Sequence, residues 1–333
     1  MPLTVRRLQP PDSNRKGLRF FQRNIRLLRN SSYIQRTRRI VHSGVILPPL
    51  NDMLTSPVAS FPLAAHTQLV QTRHGWMLAN PNDFYLGRAL LEYGECGELE
   101  SAVLRQLLVQ PGVVVEVGAN IGVHTVMLAR ETQQRRQVLV AFEPQPVIFQ
   151  NLCANLAANG ITNVLAWPYA CGSDASTLYF ERPDYAAPGN FGSVEMQTKP
   201  GTDTIPVPCV RMDDVLRTHT VGLIKIDVEG FELAALQGAQ ETIARCRPTL
   251  YVENDRLERS QALIEWLWSK DYRMWWHLPP LFNPGNFFGR AENIYGGLLS
   301  CNMLALPREL DLDITGFTEV TDSTTHALMN LVN

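Results

Sequence analysis

No stretch of eighteen or more apolar residues runs anywhere in the sequence, so no segment has the length and hydropathy of a membrane-spanning helix. CxxC pairs and Cys/His clusters are also absent. The six cysteines, Cys96, Cys153, Cys171, Cys209, Cys246 and Cys301, are scattered, which argues against a zinc site or a disulfide framework and for a reducing, cytoplasmic setting. The N-terminus carries charges without a continuous apolar segment, so a secretory signal is not expected. There is no internal repeat and no low-complexity tract. The GxGxxG turn of dinucleotide-binding folds is missing as well.

What is present is a long, apolar chain. Its 333 residues are 45% hydrophobic, which supports one large α/β domain with smaller additions. The formal net charge of -2 hides an asymmetry. Residues 1–40 hold eleven basic side chains against one acid, leaving nineteen bases and thirty-one acids for the rest. Residues 1–45 therefore read as a basic arm whose order is open. Within it Leu18, Phe21, Ile25 and Leu28 share one helical face. Such a helix can lie on an anionic membrane or dock on an acidic partner, and it superficially resembles a transit peptide; the plainer reading is a solvated tail. The acidic body and the lack of an aromatic-basic groove argue against nucleic acid as a partner.

Residues 46–110 are expected to form an N-terminal cap. Four prolines mark a connector up to residue 65, His74-Gly75 suggests a hairpin, and Gly97–Gln110 has helical apolar spacing. Residues 111–310 form the main domain, and 311–333 a C-terminal tail. In the main domain short apolar strands (Val113–Val117, Val138–Phe142, Val164–Ala170, Leu223–Ile226, Thr249–Val252) alternate with helices. The helices are expected at Ile121–Arg130, Val147–Asn159, Phe231–Ala244 and Gln261–Trp268. This alternation predicts an α/β fold with a Rossmann-like, mostly parallel sheet covered on both faces. Leu178–Phe180 and Ile205–Val210 read as an inserted hairpin, and Tyr272–Trp276 and Leu298–Leu306 as an antiparallel edge. The loop Leu278–Gly297 between the last two is long enough to be functional, and is expected to wall an acceptor site or to pack as a structural lid.

The chemistry concentrates at strand ends. After Val113–Val117 come Gly118, Asn120 and Gly122, spaced G-x-x-x-G. Gly118 frees the turn, and Gly122 lets the next helix pack closely. Glu116 would repel a pyrophosphate but can pair with an ammonium, which points to S-adenosylmethionine, a ligand with an ammonium and a sulfonium but no phosphate. Glu143, closing the second strand 27 residues later, can accept both ribose hydroxyls. Gly172, in the turn after the third strand, would lie under the adenine, or is simply a turn. Asp227 and Glu253, at the ends of the fourth and fifth strands, face the crevice where an acceptor would react. Glu229 and Glu232 fit helix-dipole stabilisation. His277 is a further candidate base, although a strand-end histidine is commonly just hydrogen-bonded. His124 could touch the cofactor by position. No dedicated metal cage is legible; the competing use of Asp227, Glu253 and Asn254 would be as oxygen ligands for Mg²⁺.

Taken together, VEVGANIGVHT (115–125), AFEPQP (141–146), NLCANLAANG (151–160) and IKIDVEGFE (224–232) resemble the FkbM-type S-adenosylmethionine-dependent methyltransferases. Tyr93-Gly94-Glu95, Asn190-Phe191-Gly192, Met212–Leu216 and Glu253-Asn254 support the resemblance. It implies a class I methyltransferase fold and methyl transfer to a hydroxyl of a sugar, lipid or natural-product acceptor. It also implies cofactor roles for Glu116, Gly118, Asn120, Gly122 and Glu143, and places Asp227 in the catalytic neighbourhood. Glu116 stands where the family usually has Asp, and Phe231 where a small residue is common, which could narrow the acceptor pocket. The alternatives are an NAD-dependent oxidoreductase, disfavoured by the missing glycine, and a non-catalytic binding module on the same fold.

Overall fold

Elements follow the hydrophobic periodicity closely in a computed structural model that describes residues 4–7, 66–310 and 312–331. In chain order they open with β1 (Thr4–Arg7), β2 (Gln68–Thr72), β3 (Gly75–Ala79), α1 (Leu86–Tyr93), α2 (Glu98–Leu107), β4 (Val113–Val117) and α3 (Val123–Gln134). Next come β5 (Leu139–Phe142), α4 (Pro146–Ala158), β6 (Val164–Trp167), β7 (Ala170–Cys171), β8 (Ser176–Glu181), β9 (Thr204–Val210) and α5 (Met212–Leu216). The chain continues through β10 (Val221–Ile226), α6 (Glu232–Gln237), α7 (Gln240–Cys246), β11 (Thr249–Glu253), α8 (Leu257–Ser269) and β12 (Tyr272–His277). It closes with β13 (Asn302–Pro307), β14 (Leu312–Thr315), β15 (Thr318–Glu319) and a 3-10 turn at Ala327–Leu331.

The main sheet has eight strands in the order β15-β12-β13-β11-β10-β4-β5-β6. β6, β5, β4, β10 and β11 run parallel, and β13, β12 and β15 add antiparallel partners. The order reverses at β4, where the chain goes outward to β6 and then returns to β10. In such sheets that reversal opens a crevice at the carboxyl ends of the strands. Both faces are buried, which explains the near-continuous apolar runs. Val115, Ile224, Leu250 and Val252 pack on one side, and Val114, Leu223, Tyr251 and Leu304 on the other. Among the described residues no helix is long and apolar enough to cross a membrane.

Several expectations are corrected. The strand expected over 164–170 breaks after Trp167, and Ala170–Cys171 joins a separate three-stranded sheet with the inserted hairpin, in the order β7-β9-β8. The helix expected over 231–244 is two helices. Gly238 packs against the Gly172 carbonyl, where a Cβ would lie 2.0 Å away, and Asp213 accepts the backbone N–H groups of Glu241 and Thr242 at the start of α7. Within the stretch expected as a C-terminal tail, β14 pairs with β1 and β15 with β12. Apart from β1, the basic arm and its amphipathic segment lie outside the described residues.

Candidate active site

Strand register assembles the site. Glu116 of β4, Lys225 of β10 and Tyr251 of β11 are direct cross-strand partners, so alternation sends all three side chains to one face. Lys225 is 2% exposed, yet charged. Its Nζ donates to Asp227 Oδ2 at 3.1 Å and lies 3.8 Å from Glu116 Oε1. Burial alone would lower its pKa; Asp227, Glu116 and Glu100 outweigh that and raise it above the ordinary lysine value. Glu116 is 1% exposed and takes the Thr125 hydroxyl at 2.7 Å. Burial raises its pKa, and Lys225, His124 and Thr125 oppose the rise.

The turn after β4 is left-handed at Gly118 (φ 81°), Asn120 (φ 49°) and Gly122 (φ 94°). A Cβ on Gly122 would meet Leu152 of α4 at 2.7 Å. The Asn120 N–H donates to Glu143 Oε2 and the Gln145 N–H to Glu143 Oε1, each at 2.9 Å. Two backbone donors thus aim the carboxylate and leave lone pairs for a ligand. Burial pushes Glu143 up to about 7 against those two bonds.

Two cavities meet here, sharing Gly118, Glu143, Gly192, Asp227 and Glu229. One is a narrow slot lined by Glu143, Tyr169, Cys171, Leu178, Met196 and Phe231. The other is a wide polar cavity of about 420 Å³, whose lining includes Glu116, Asn120, His124, Lys225, Asp227 and Glu253. Phe231 therefore narrows the slot beside Glu143, not the wide cavity. Gly172 lines neither; its Cβ position faces Cys209 Sγ at 2.8 Å, and the neighbouring Cys171 takes the lining place.

Asp227, Glu229 and Glu253 each offer a carboxylate oxygen within 4.8 Å of the others. Glu229 was expected to be structural. It stands instead at the junction of both cavities with φ 53°, a strained backbone for a side-chain residue. Arg256 donates to its Oε2 at 2.7 Å. Burial and the Asp227 charge push Glu229 up to about 8 and raise Glu253 well above the carboxylate range. Asn254 lines neither cavity; its Nδ2 bonds Ser260 Oγ and Met303 Sδ, and its Oδ1 is buried without a partner. Glu232 keeps the structural role expected of it, accepting the Val228 and Gly230 N–H groups.

His277 is not placed as a base. It lines neither cavity, is 8% exposed, and its Nδ1 pairs with the Tyr251 hydroxyl at 2.8 Å. Burial lowers its pKa to about 4. His124 does line the wide cavity, with Glu100 Oε2 at 3.5 Å and Ser101 Oγ at 3.1 Å from its nitrogens. Burial pushes Glu100 up, but His124 and Ser300 outweigh it and hold Glu100 at about 2. Glu100 carried no motif signal. Lys225 did: a lone charge inside an apolar strand.

The loop after β12 is largely latched to the cap. Glu95 accepts from Arg73 Nε (2.6 Å), Asn283 Nδ2 (2.7 Å) and the Phe287 N–H (2.9 Å), and the Tyr93 hydroxyl donates to the Glu292 carbonyl. Of residues 278–297, Leu281 reaches the wide cavity. The packed-lid alternative describes most of this loop.

Residues 116–274 match the family model of the methyltransferase FkbM domain. A protein named Methyltransferase sdnD from Sordaria araneosa is 32% identical, over 38% of this chain and 60% of its own length. The Hexuronic acid methyltransferase AglP of Haloferax volcanii is 29% identical, over 42% of this chain and 56% of its own. The chain thus spans somewhat under two thirds of the length of these relatives. A methyltransferase FkbM structure from Methylobacillus flagellatus KT aligns over 58% of this chain and 43% of its own, with 18% identity and a TM-score of 0.40.

Proposed function

We propose that the protein is an O-methyltransferase that uses S-adenosylmethionine and acts on a hydroxyl of a sugar, lipid or natural-product acceptor, a reading supported by the match of residues 116–274 to the methyltransferase FkbM domain. The observation that carries this reading is the junction of the two cavities. Glu143 lines a narrow slot whose apolar walls, Leu178, Met196 and Phe231 among them, suit adenosine, and Asp227, Glu229 and Glu253 line the adjoining polar space.

Each residue has a task in this reading. Glu143 accepts the ribose hydroxyls. Glu116, buried and held by Thr125, offers negative charge to the amino-acid ammonium. Asn120 and Gly118 shape the turn along which the cofactor lies. The acceptor hydroxyl attacks the methyl carbon, the carbon–sulfur bond breaks with its electron pair going to sulfur, and the hydroxyl proton passes to the Asp227–Glu253 cluster. Alignment of oxygen, methyl and sulfur supplies much of the rate, and a positioned base adds about 10²–10⁴-fold. In this reading the reaction is cytoplasmic and takes no nucleic-acid partner, which the scattered cysteines and the acidic body support.

The test is direct. The purified chain is titrated with S-adenosylmethionine by calorimetry, then incubated with methyl-labelled cofactor and a panel of neutral hexoses, hexuronic acids and hydroxylated lipids. Mass spectrometry should find one acceptor class labelled. Absence of saturable cofactor binding would refute the reading, and label on nitrogen or carbon would correct the O-methyl assignment.

A further inference from the structure

We propose that Asp227, Glu229 and Glu253 form a site for one hard divalent cation of the Mg²⁺ class, at the acceptor end of the wide cavity. The inference rests on the methyltransferase reading for its purpose but not for its geometry. The three carboxylates come from the end of β11 and from the segment after β10, and one oxygen of each lies within 4.8 Å of the others. Hard cations hold oxygens at about 2.0–2.1 Å (Mg²⁺) or 2.3–2.6 Å (Ca²⁺), so ligand atoms around one ion lie roughly 3–5 Å apart. The observed spacing fits a single ion.

The second observation concerns Glu253 itself. Its Oε2 is sealed from solvent and has no hydrogen-bond partner, although its carboxylate lines the cavity beside Asp227 and Glu229. A buried polar oxygen left without a donor is costly and calls for an explanation. The nearby cations do not supply one. Lys225 donates to Asp227 Oδ2 and Arg256 to Glu229 Oε2, and neither donates to Glu253. Of the three carboxylates, Glu253 is the one with a buried oxygen that no protein group satisfies, and a cation among the three would supply its partner.

Such an ion would keep water ligands, one of which the acceptor hydroxyl can replace. It would stabilise the alkoxide form; because the carboxylates are then ligands, the hydroxyl proton would leave to solvent in place of the Asp227–Glu253 cluster, the transfer of the methyl group to oxygen being unchanged.

The test uses the full chain and Mn²⁺ as probe. Loss of the free-ion signal in electron paramagnetic resonance reports binding, with excess Mg²⁺ as competitor. Wild type should bind one equivalent below millimolar concentration, competed by Mg²⁺. Glu253→Gln, Glu229→Gln and Asp227→Asn should each weaken it at least tenfold, and Asp174→Asn should not. Glu253→Gln keeps the shape and removes a repelling charge, so it is expected to fold; a melting curve with and without Mg²⁺ gives a second readout, with a rise in Tm for wild type and none for this variant. No Mn²⁺ uptake at 1 mM, or unchanged uptake by Glu253→Gln, overturns the site. S-adenosylhomocysteine binding is measured in parallel. Its survival with no Mn²⁺ uptake defeats the cation alone, whereas its loss in wild type defeats the functional reading.

Discussion

Gly118 lies so close to Asp227 that a Cβ on it would sit 1.8 Å from the Asp227 carbonyl oxygen. The turn after β4 and the segment after β10 are thus in backbone contact. From the sequence, Gly118 makes room for a ligand; in the structure the atom it makes room for belongs to the protein. Gly118→Ala should therefore lose stability as well as cofactor binding, by about 3 kcal/mol or more, from overpacking together with a left-handed backbone. Gly160→Ala is the control: its φ is 63° but nothing lies within 4 Å, so backbone strain acts alone. Denaturant unfolding and S-adenosylhomocysteine titration check both. Equal, small effects in the two variants would contradict the packing.

Glu143 should make cofactor affinity depend on pH. Its burial raises the pKa to about 7, and ribose hydroxyls donate best to the ionised form. Affinity should therefore rise with pH, by roughly tenfold from pH 6 to pH 8, the span over which the carboxylate ionises. Glu143→Gln should bind weakly and without that slope. A flat wild-type profile would remove Glu143 from the ribose contact.

His277 should contribute acid lability. Its folded-state pKa, about 4, lies below the 6.5 of a free histidine, so the unfolded chain takes up the proton first. Stability is fully present above pH 6.5 and drains as pH falls from about 6.5 to about 4. In His277→Gln this component should vanish from the Tm profile while S-adenosylhomocysteine affinity persists. Loss of cofactor binding in this variant would show a role in the site that its burial does not provide.

Lys225 should be structurally costly to remove. Lys225→Met leaves Glu116 and Asp227 without their shared cation, at a cost of about 3–5 kcal/mol. Adding Glu116→Gln should recover part of that loss. If the double variant is no more stable than the single, the two groups are not coupled.

Glu95 should act as the latch of the 278–297 loop. Glu95→Ala removes its bonds from Arg73, Asn283 and Phe287. Limited proteolysis within 283–293 should accelerate, and cofactor affinity should stay within about twofold of wild type. Unchanged proteolysis would mean that Tyr93 and Tyr295 hold the loop without it.

Much of this was determined by the sequence alone. Strand and helix periods marked the parallel sheet, because strands buried on both faces must be apolar throughout. Gly118, Asn120 and Gly122 marked the turn, because left-handed backbone excludes most side chains. Glu143 could be found because an acid ending a strand in an open sheet has one crevice to face. Local chemistry carries these signals. Only tertiary structure decided the rest. His277 and Glu253 both end strands and, as partners of Asn302, share one sheet face, yet His277 is closed off against Tyr251 and Glu253 lines the cavity. Glu100 enters the site from a cap helix separated from Lys225 by more than a hundred residues, and Glu229 reaches it through a strained turn. Which carboxylates share one space depends on strand register and crossing, and those are properties of the assembled sheet, not of any segment read singly.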